Sequence, residues 1–221
     1  MIKEIFAEHN VKIDEREVGL FETYYQNLIS WNQKFNLTAI TDKGEVAVKH
    51  FLDSVIAQRY FPYGASVVDV GSGAGFPAIP LKIVRGDIDI TMLEALNKRV
   101  NFLQDTLAVL DLPGKAFHLR AEEAAYGPMR ESFDVATARA VTNTKQLVQY
   151  LLPLVKVGGS AILYKGAEIE EELKEAEGAV KTLGGMISRV DRVDFAGLGR
   201  SIVVIDKIFT TPKIYPKKKI K

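Results

Sequence analysis

The segment VVDVGSGAGFPAIP, from Val67 to Pro80, decides the fold of this 221-residue chain. An apolar run ends in an acidic residue, and glycines then stand at every second position, at Gly71, Gly73 and Gly75. Glycine tolerates positive φ angles and lets the backbone approach a ligand closely. The segment therefore predicts a β-strand that turns sharply into an α-helix, with a ligand-binding loop between them.

Strands and helices alternate on the carboxyl-terminal side of this segment. Apolar runs predict seven strands: SVVDV, DIDITMLE, GKAFHLR, SFDVATARAV, GSAILYKG, MISRVDRVDF and RSIVVIDKIF. The alternation is typical of a parallel, doubly wound sheet. Only AGLG separates the last two strands, which is too short for a parallel crossover. We therefore predict an α/β fold with a mixed sheet and a terminal antiparallel strand. The helix TKQLVQYLLPLVK is expected to end at Gly158 and Gly159.

The amino-terminal part of the chain has helical patterns instead. Asp14 and Glu17 have the spacing of a capping box, and apolar residues recur on one helix face after them. Thr41 or Asp42 is expected to cap a further helix. We divide the chain into a helical cap at residues 1–64, a ligand-binding domain at 65–210 and a basic tail at 211–221, which together form one compact unit.

Composition excludes several classes of protein. The chain has no cysteine, which rules out disulfides, thiolate metal sites and a cysteine nucleophile. No His, Asp and Glu residues have the spacing of a metal site, so we predict no metal. No apolar run reaches the about 18 residues of a membrane span, and the amino terminus does not resemble a signal peptide. We therefore expect a cytoplasmic protein that does not enter membranes.

Charge is distributed unevenly along the chain. Six of the 29 basic residues lie between Lys207 and Lys221, a stretch without acidic residues, so 23 basic residues face 28 acidic ones in the rest. A basic tail is able to contact phosphate groups, although many basic termini are only solvated. The body of the protein is mildly acidic.

An acidic residue follows the glycine segment at the distance expected of a ribose ligand. Glu94 lies 23 residues after Gly71, at the end of the second predicted strand. A carboxylate there accepts hydrogen bonds from both ribose hydroxyls of an adenosine ligand. Phe76 takes the place of the third glycine in the dinucleotide fingerprint G-x-G-x-x-G. A nicotinamide dinucleotide, and with it an oxidoreductase, therefore fits less well than another adenosine ligand.

The glycine loop, the acid on strand two and the terminal hairpin together resemble the class I S-adenosylmethionine-dependent methyltransferases. The resemblance implies a Rossmann-like sheet of seven strands and S-adenosylmethionine as cofactor. It places an acid beside the methionine moiety, glycines under the ligand, an acid at the ribose and two residues against the adenine. In this chain the acid beside the methionine moiety is Asp69, and the glycines are Gly71, Gly73 and Gly75. The acid at the ribose is Glu94, and the residues against the adenine are Ala121 and Glu122.

Several separated blocks sharpen the resemblance: SWNQKFNLTAI, KHFLDSV, VDVGSGAGFPAIPLKI, ALNKRVNFL and ARAV, in that order. They resemble the bacterial small-subunit ribosomal RNA methyltransferase G family, also called glucose-inhibited division protein B, from about Asn27 to Ile208. The resemblance implies methylation of N7 of a guanine in 16S rRNA near the decoding site. The implied partner is the small ribosomal subunit or its assembly intermediate. Many members have glycine at the position of Ala78. We expect a monomer.

The implied reaction agrees with the residues present. Guanine N7 carries an in-plane lone pair and no proton, so no general base is required. The planar donors of Arg139, at the end of the fourth strand, are suited to the methionine carboxylate, to the guanine O6 or to a phosphate, and the resemblance places Arg139 in the cofactor pocket. Phe76 is expected near the cofactor or in the core. His50 and Asp53 share a helix face, from which they are able to support the floor of the site, but a structural role is expected.

Two other functions stay open on the sequence alone. The first is methyl transfer to a small molecule instead of RNA, and the second is a ribosome-associated or nucleotide-binding module without catalysis. An RNA substrate requires local basic surface. The candidates for it are Lys34, Lys49, Arg59, Lys98, Arg99, Arg139, Lys165 and the tail lysines.

Overall fold

The computed structural model describes residues 1–216 and contains a sheet of seven strands in the order β3-β2-β1-β4-β5-β7-β6. Four predicted tail lysines, Lys217, Lys218, Lys219 and Lys221, lie outside the described residues. Among the residues described, no helix has the length and apolar character needed to cross a bilayer. The strands are β1 (Ser66–Val70), β2 (Asp89–Glu94), β3 (Lys115–His118), β4 (Phe133–Arg139), β5 (Val155–Gly166), β6 (Gly185–Phe195) and β7 (Leu198–Lys207).

Helices precede the sheet and connect its strands. The α-helices are α1 (Ile2–Glu8), α2 (Glu15–Asn32), α3 (Lys43–Val46), α4 (Asp53–Val55), α5 (Ala78–Val84), α6 (Asn97–Val109), α7 (Ala121–Ala124), α8 (Thr144–Leu151) and α9 (Glu170–Thr182). A π-helical turn at Ala47–Leu52 joins α3 to α4, and a 3₁₀ turn covers Gln58–Tyr60. Such π-helical turns are often found at functional sites.

The sheet is mixed, as predicted. Strands β1 to β5 are parallel where they pair, whereas β7 runs antiparallel to both β5 and β6. The hairpin between β6 and β7 turns through Ala196 and Gly197, which both have positive φ angles, of 49° and 69°. Two positive φ angles in a two-residue loop match the twist of the adjoining strands. The last strand of the chain therefore lies inside the sheet, and β6 forms its edge.

The predicted end of the helix before β5 is wrong. Helix α8 ends at Leu151, because Pro153 has no N–H group with which to continue it. Gly158 and Gly159 lie instead within β5, where its register against β4 is irregular. A Cβ atom on Gly159 would lie 2.4 Å from the carbonyl oxygen of Asp134. Gly159 therefore permits close strand contact at a bulge, Gly158 supplies a φ angle of 87° beside it, and neither residue caps a helix.

The amino-terminal helices share a hydrophobic core with one face of the sheet. The capping box is present: Glu17 N donates to Asp14 Oδ1, and Asp14 N donates to Glu17 Oε2, both at 2.7 Å. Asp42, not Thr41, caps α3. One continuous cluster of buried side chains includes Phe21 and Phe51 as well as sheet residues. The division of the chain at residue 64 stays a prediction.

The order of strands locates the binding crevice. β1 and β4 are neighbours at the centre of the sheet, and the connections run in opposite directions on either side of them. In open α/β sheets, ligands bind at the carboxyl ends of strands where the strand order reverses. The glycine segment after β1 and Arg139 at the end of β4 lie at this position.

Candidate active site

Two cavities adjoin at the carboxyl ends of the central strands. The glycine-loop cavity, which includes Gly71 and Glu94, has a volume of about 600 Å³. The arginine cavity, which includes Arg139, has a volume of about 430 Å³. Ala140 and Thr142 line both. Ligands in the two cavities would therefore be separated only by the short loop that follows β4.

The three predicted glycines have different surroundings. All have positive φ angles, of 71° at Gly71, 57° at Gly73 and 89° at Gly75. A Cβ atom on Gly75 would lie 2.6 Å from Ile79 Cδ1 and 2.7 Å from Tyr24 Oη, whereas one on Gly73 would meet nothing closer than 3.9 Å. Gly75 is therefore required for packing against α2 and α5, and Gly73 leaves space beside the backbone.

Glu94 joins the end of β2 to the glycine loop. Its side chain is buried, and Oε2 accepts a hydrogen bond from Gly73 N at 3.0 Å while Oε1 accepts one from Leu96 N at 2.9 Å. Arg99 Nη1 lies 3.8 Å from Oε2. A carboxylate has about four acceptor sites, so capacity remains for the hydroxyls of a ribose. The position fits the predicted role, which stays a prediction.

Asp69, under the glycine loop at the end of β1, is a buried carboxylate whose two oxygens have no hydrogen-bond partner among the described residues. Burial raises its pKa to about 7, and the nearby hydroxyl of Ser72 and the guanidinium of Arg139 partly oppose this shift. An unpartnered buried acid is costly unless a ligand compensates it. Asp69 therefore fits a ligand that carries positive charge, as S-adenosylmethionine does.

The structure brings together some of the predicted cofactor residues and not others. Gly71, Glu94, Ala121 and Glu122 all line the glycine-loop cavity. Ala121 and Glu122 reach it because α7 begins just after β3. Four other predicted cofactor residues line neither cavity: Asp69, Gly73, Gly75 and Phe76. Their contacts with a cofactor stay predictions.

Arg139 faces the second cavity. Its Nη1 donates to Asp53 Oδ2 at 2.8 Å, and its guanidinium carbon lies 4.9 Å from the ring centroid of Phe76. Arg200 on β7 donates through Nε to Asp53 Oδ1, also at 2.8 Å. Arg139 lines the arginine cavity and not the glycine-loop cavity, so its predicted cofactor contact stays a prediction.

His50 forms part of the wall of the arginine cavity. Its ring stacks on Phe76 with a centroid distance of 4.6 Å, and Nε2 lies 2.9 Å from Thr38 Oγ1. Burial, reinforced by the nearby charge of Arg139, lowers the pKa of His50 to about 4. The imidazole is therefore neutral at physiological pH. His50 and Asp53 share a face as predicted, but both line the cavity and Asp53 binds two arginines.

The loop between the cavities is held in place by Lys165 on β5. Lys165 Nζ donates to Thr142 O at 2.8 Å and to Glu172 Oε1 at 2.6 Å. The same carboxylate oxygen accepts from Thr144 Oγ1 at 2.6 Å. Within this loop, Ala140 adopts a positive φ angle of 56°, a conformation that non-glycine residues seldom adopt. These contacts fix the loop whose residues border both cavities.

The predicted basic residues are divided among several places. Lys49, Arg139 and Lys165 line the arginine cavity, and Arg99 lines the other. Lys34, Arg59 and Lys98 line neither. Arg200 was not predicted, because no motif marks a lone arginine on a terminal hairpin. Within residues 1–216, no group of three or more His, Cys, Asp or Glu residues is arranged to hold a metal ion.

Comparison with known proteins identifies the family. A family model described as rRNA small subunit methyltransferase G matches residues 17–197. The chain belongs to this family. It is 44% identical to the ribosomal RNA small subunit methyltransferase G of Staphylococcus aureus strain Newman over 98% of the chain and 93% of the relative. The protein from strain JH9 is 43% identical with the same coverage. Membership in the methyltransferase G family confirms the predicted enzyme class, and with it S-adenosylmethionine as cofactor.

Solved structures confirm the fold of this methyltransferase G family member. A methyltransferase from Pyrococcus furiosus has a TM-score of 0.58 at 14% identity, covering 72% of this chain and 83% of that one. TYW2 of M. jannaschii, solved in complex with AdoMet, has a TM-score of 0.56 at 12% identity, covering 71% and 77%. The predicted Rossmann-like methyltransferase fold is therefore correct.

Proposed function

We propose that this chain transfers a methyl group from S-adenosylmethionine to N7 of one guanine in 16S rRNA near the decoding site. The substrate is the small ribosomal subunit or an intermediate of its assembly. The observation that carries the proposal is the contact of two unlike cavities at Ala140 and Thr142. One is suited to an adenosine ligand with positive charge, and the other presents basic side chains.

The residues around the glycine-loop cavity fit the cofactor. Its volume lies within the about 300–1,000 Å³ of most small-molecule sites. Glu94 would hold the ribose, Ala121 and Glu122 would contact the adenine, and Asp69 would compensate the positive charge of the methionine part. When bound, S-adenosylmethionine supplies an electrophilic methyl group. The chain itself holds two reactants in line and excludes water.

The arginine cavity suits an acceptor that needs no deprotonation. Of the described residues, Asp53 is the only carboxylate that lines it, and two arginines already occupy this group. The pKa of His50, lowered by burial to about 4, makes it a weak base. Guanine presents N7 and O6 as acceptors on one edge, and arginine donors commonly pair with that edge. A guanidinium that donates to O6 would leave the N7 lone pair directed at the cofactor.

A ribosomal substrate also bears on where the protein acts. We propose that the protein acts in the cytoplasm, as a monomer, where small subunits are assembled. Two alternatives predict different products. A small-molecule methyltransferase would methylate metabolites and leave rRNA unlabelled, and a binding module would bind cofactor or RNA without turnover.

Transfer of labelled methyl from S-adenosylmethionine to small subunits tests the proposal. The subunits come from cells that lack this protein, naked 16S rRNA is assayed in parallel, and the label is mapped by cleavage at 7-methylguanine. We expect one labelled guanine, with transfer reduced at least 100-fold by Arg139→Ala. Arg192→Ala, at an exposed arginine that lines neither cavity and is not among the predicted RNA contacts, is the matched control and should retain activity. Saturable cofactor binding without transfer to either RNA would overturn the proposal.

A further inference from the structure

A buried carboxylate holds two arginines at the arginine cavity. Asp53 is 2% exposed, and each of its oxygens accepts a 2.8 Å hydrogen bond from a different guanidinium, Oδ2 from Arg139 and Oδ1 from Arg200. Arg200 Nη2 also lies 3.5 Å from Oδ2. The three residues belong to α4, β4 and β7, which are far apart in the chain.

The position of Asp53 is fixed from several sides. Tyr164 Oη, on β5, donates a 2.6 Å hydrogen bond to the carbonyl of Ser54, the next residue after Asp53. Arg139 Nη1 lies 3.3 Å from Lys49 O and 3.4 Å from His50 O, on the π-helical turn before α4. Side chains held by such a second layer of contacts are already oriented before a ligand arrives.

The basic side chains of the arginine cavity differ in whether each has its own acidic partner. Lys49 pairs with Glu45, and Lys165 pairs with Glu172 at 2.6 Å, so each lysine has its own acid. Among the described residues, the two arginines form ion pairs with Asp53 alone, so these three side chains together carry one net positive charge. A phosphodiester group carries one negative charge. Guanidinium groups bind phosphate oxygens through paired, charge-assisted hydrogen bonds.

We propose that Asp53 is a positioning residue of the arginine cavity. It holds Arg139 and Arg200 side by side so that Arg200 binds a backbone phosphate while Arg139 faces the target base. The inference rests on the proposed function and adds to it the group through which RNA is fixed. Without the carboxylate, the two like charges would repel each other and separate. Arg200 thereby acts on the substrate, whereas Asp53 acts through the arginines.

Steady-state methylation of small subunits by variant proteins tests this role. Asp53→Asn should raise KM for the subunits at least tenfold, with kcat within threefold of wild type and the S-adenosylmethionine Kd within twofold. Arg200→Ala should raise KM similarly and lessen the slope of log affinity against log salt by roughly the 0.7–0.9 expected for one phosphate contact. Arg200→Lys, which keeps the charge, should recover much of that slope. Combining Asp53→Asn with Arg200→Ala should add little to either single change.

A matched control separates this role from a merely structural one. Asp87 lies 2.6 Å from Arg85 and lines neither cavity, so Asp87→Asn breaks an Arg–Asp pair elsewhere and should leave KM and the salt slope unchanged. If Asp53→Asn lowers Tm but leaves KM and the salt slope unchanged, the inference is wrong. If wild type itself does not methylate subunits, the proposed function fails instead. If the variants of Arg200 leave the salt slope unchanged, the bound group is not a phosphate.

Discussion

Two buried aspartates near the two cavities differ in how far the protein itself compensates their charge. Asp69, under the glycine loop, has no hydrogen-bond partner for either carboxylate oxygen, whereas Asp53 at the arginine cavity holds a guanidinium on each. The first leaves a negative charge to be compensated, and the second leaves a positive charge beside it. The two aspartates therefore leave charges of opposite sign, a carboxylate under the glycine loop and a surplus guanidinium at the arginine cavity.

The cavities also differ in how the chain builds them. The glycine-loop cavity is lined by residues between Val70 and Tyr150, at the ends of successive parallel strands. The arginine cavity takes residues from Ile40 to Arg200, on the amino-terminal helices, the central strands and the last hairpin. The first depends on local sequence, and the second depends on how distant segments pack.

The largest effect is expected at Gly75, where the glycine segment packs against α2 and α5. Gly75→Val places a β-branched side chain at a φ angle of 89° and against Ile79 and Tyr24, so we expect a loss of about 4 kcal/mol in the free energy of unfolding. Urea denaturation measures it. Gly178→Ala, on α9 with nothing within 4 Å, should instead stabilise by about 1 kcal/mol. Lost cofactor binding with unchanged stability would show that Gly75 serves the ligand and not the packing.

The second largest effect is expected at Glu94, where a substitution should weaken cofactor binding without weakening RNA binding. Glu94→Ala leaves the amides of Gly73 and Leu96 without their acceptors, and we expect the cofactor Kd to rise about 100-fold, or about 3 kcal/mol. Titration calorimetry with S-adenosylmethionine checks this. Glu15→Gln, on the exposed start of α2, is the control. KM for the subunits should change little at saturating cofactor. An equal rise in both constants would mean that the cavities do not act separately.

The pH dependence should differ between the cavities. Burial raises the pKa of Asp69 to about 7, and a positively charged ligand favours the ionised form. The cofactor Kd should therefore fall about tenfold as pH rises from 6 to 8, with release of a proton, because binding draws on the carboxylate that forms through pH 7. The pKa of His50 near 4 places no comparable change in the arginine cavity over that range. Asp69→Asn should abolish the dependence. A pH-independent wild-type Kd would contradict the assigned charge.

The smallest effect concerns the loop that both cavities share. Lys165→Met removes the hydrogen bond to Thr142 O and the ion pair with Glu172. We expect the cofactor Kd and the KM for subunits each to rise about threefold, or about 0.7 kcal/mol, because the loop borders both sites. Lys3→Met, at an exposed ion pair with Glu15, should change neither. A change confined to one constant would assign the loop to a single cavity.

The sequence by itself determined the parallel strands, the glycine turn after β1 and Glu94 at the end of β2. These features depend on apolar periodicity, on the backbone freedom of glycine and on the ends of adjacent strands, which are all local. The predicted end of α8 is wrong because Gly159 permits a close strand contact that becomes visible only when β4 lies beside it.

Only the tertiary structure decided the composition of the arginine cavity. Asp53 is separated from Arg139 by 86 positions and from Arg200 by 147, and no periodic pattern joins residues so far apart. They meet because the amino-terminal helices pack on the sheet and β7 enters it between β5 and β6. A helical Asp and a strand Arg look like ordinary surface charges in the sequence. Burial makes them a paired group, since buried charges must find partners.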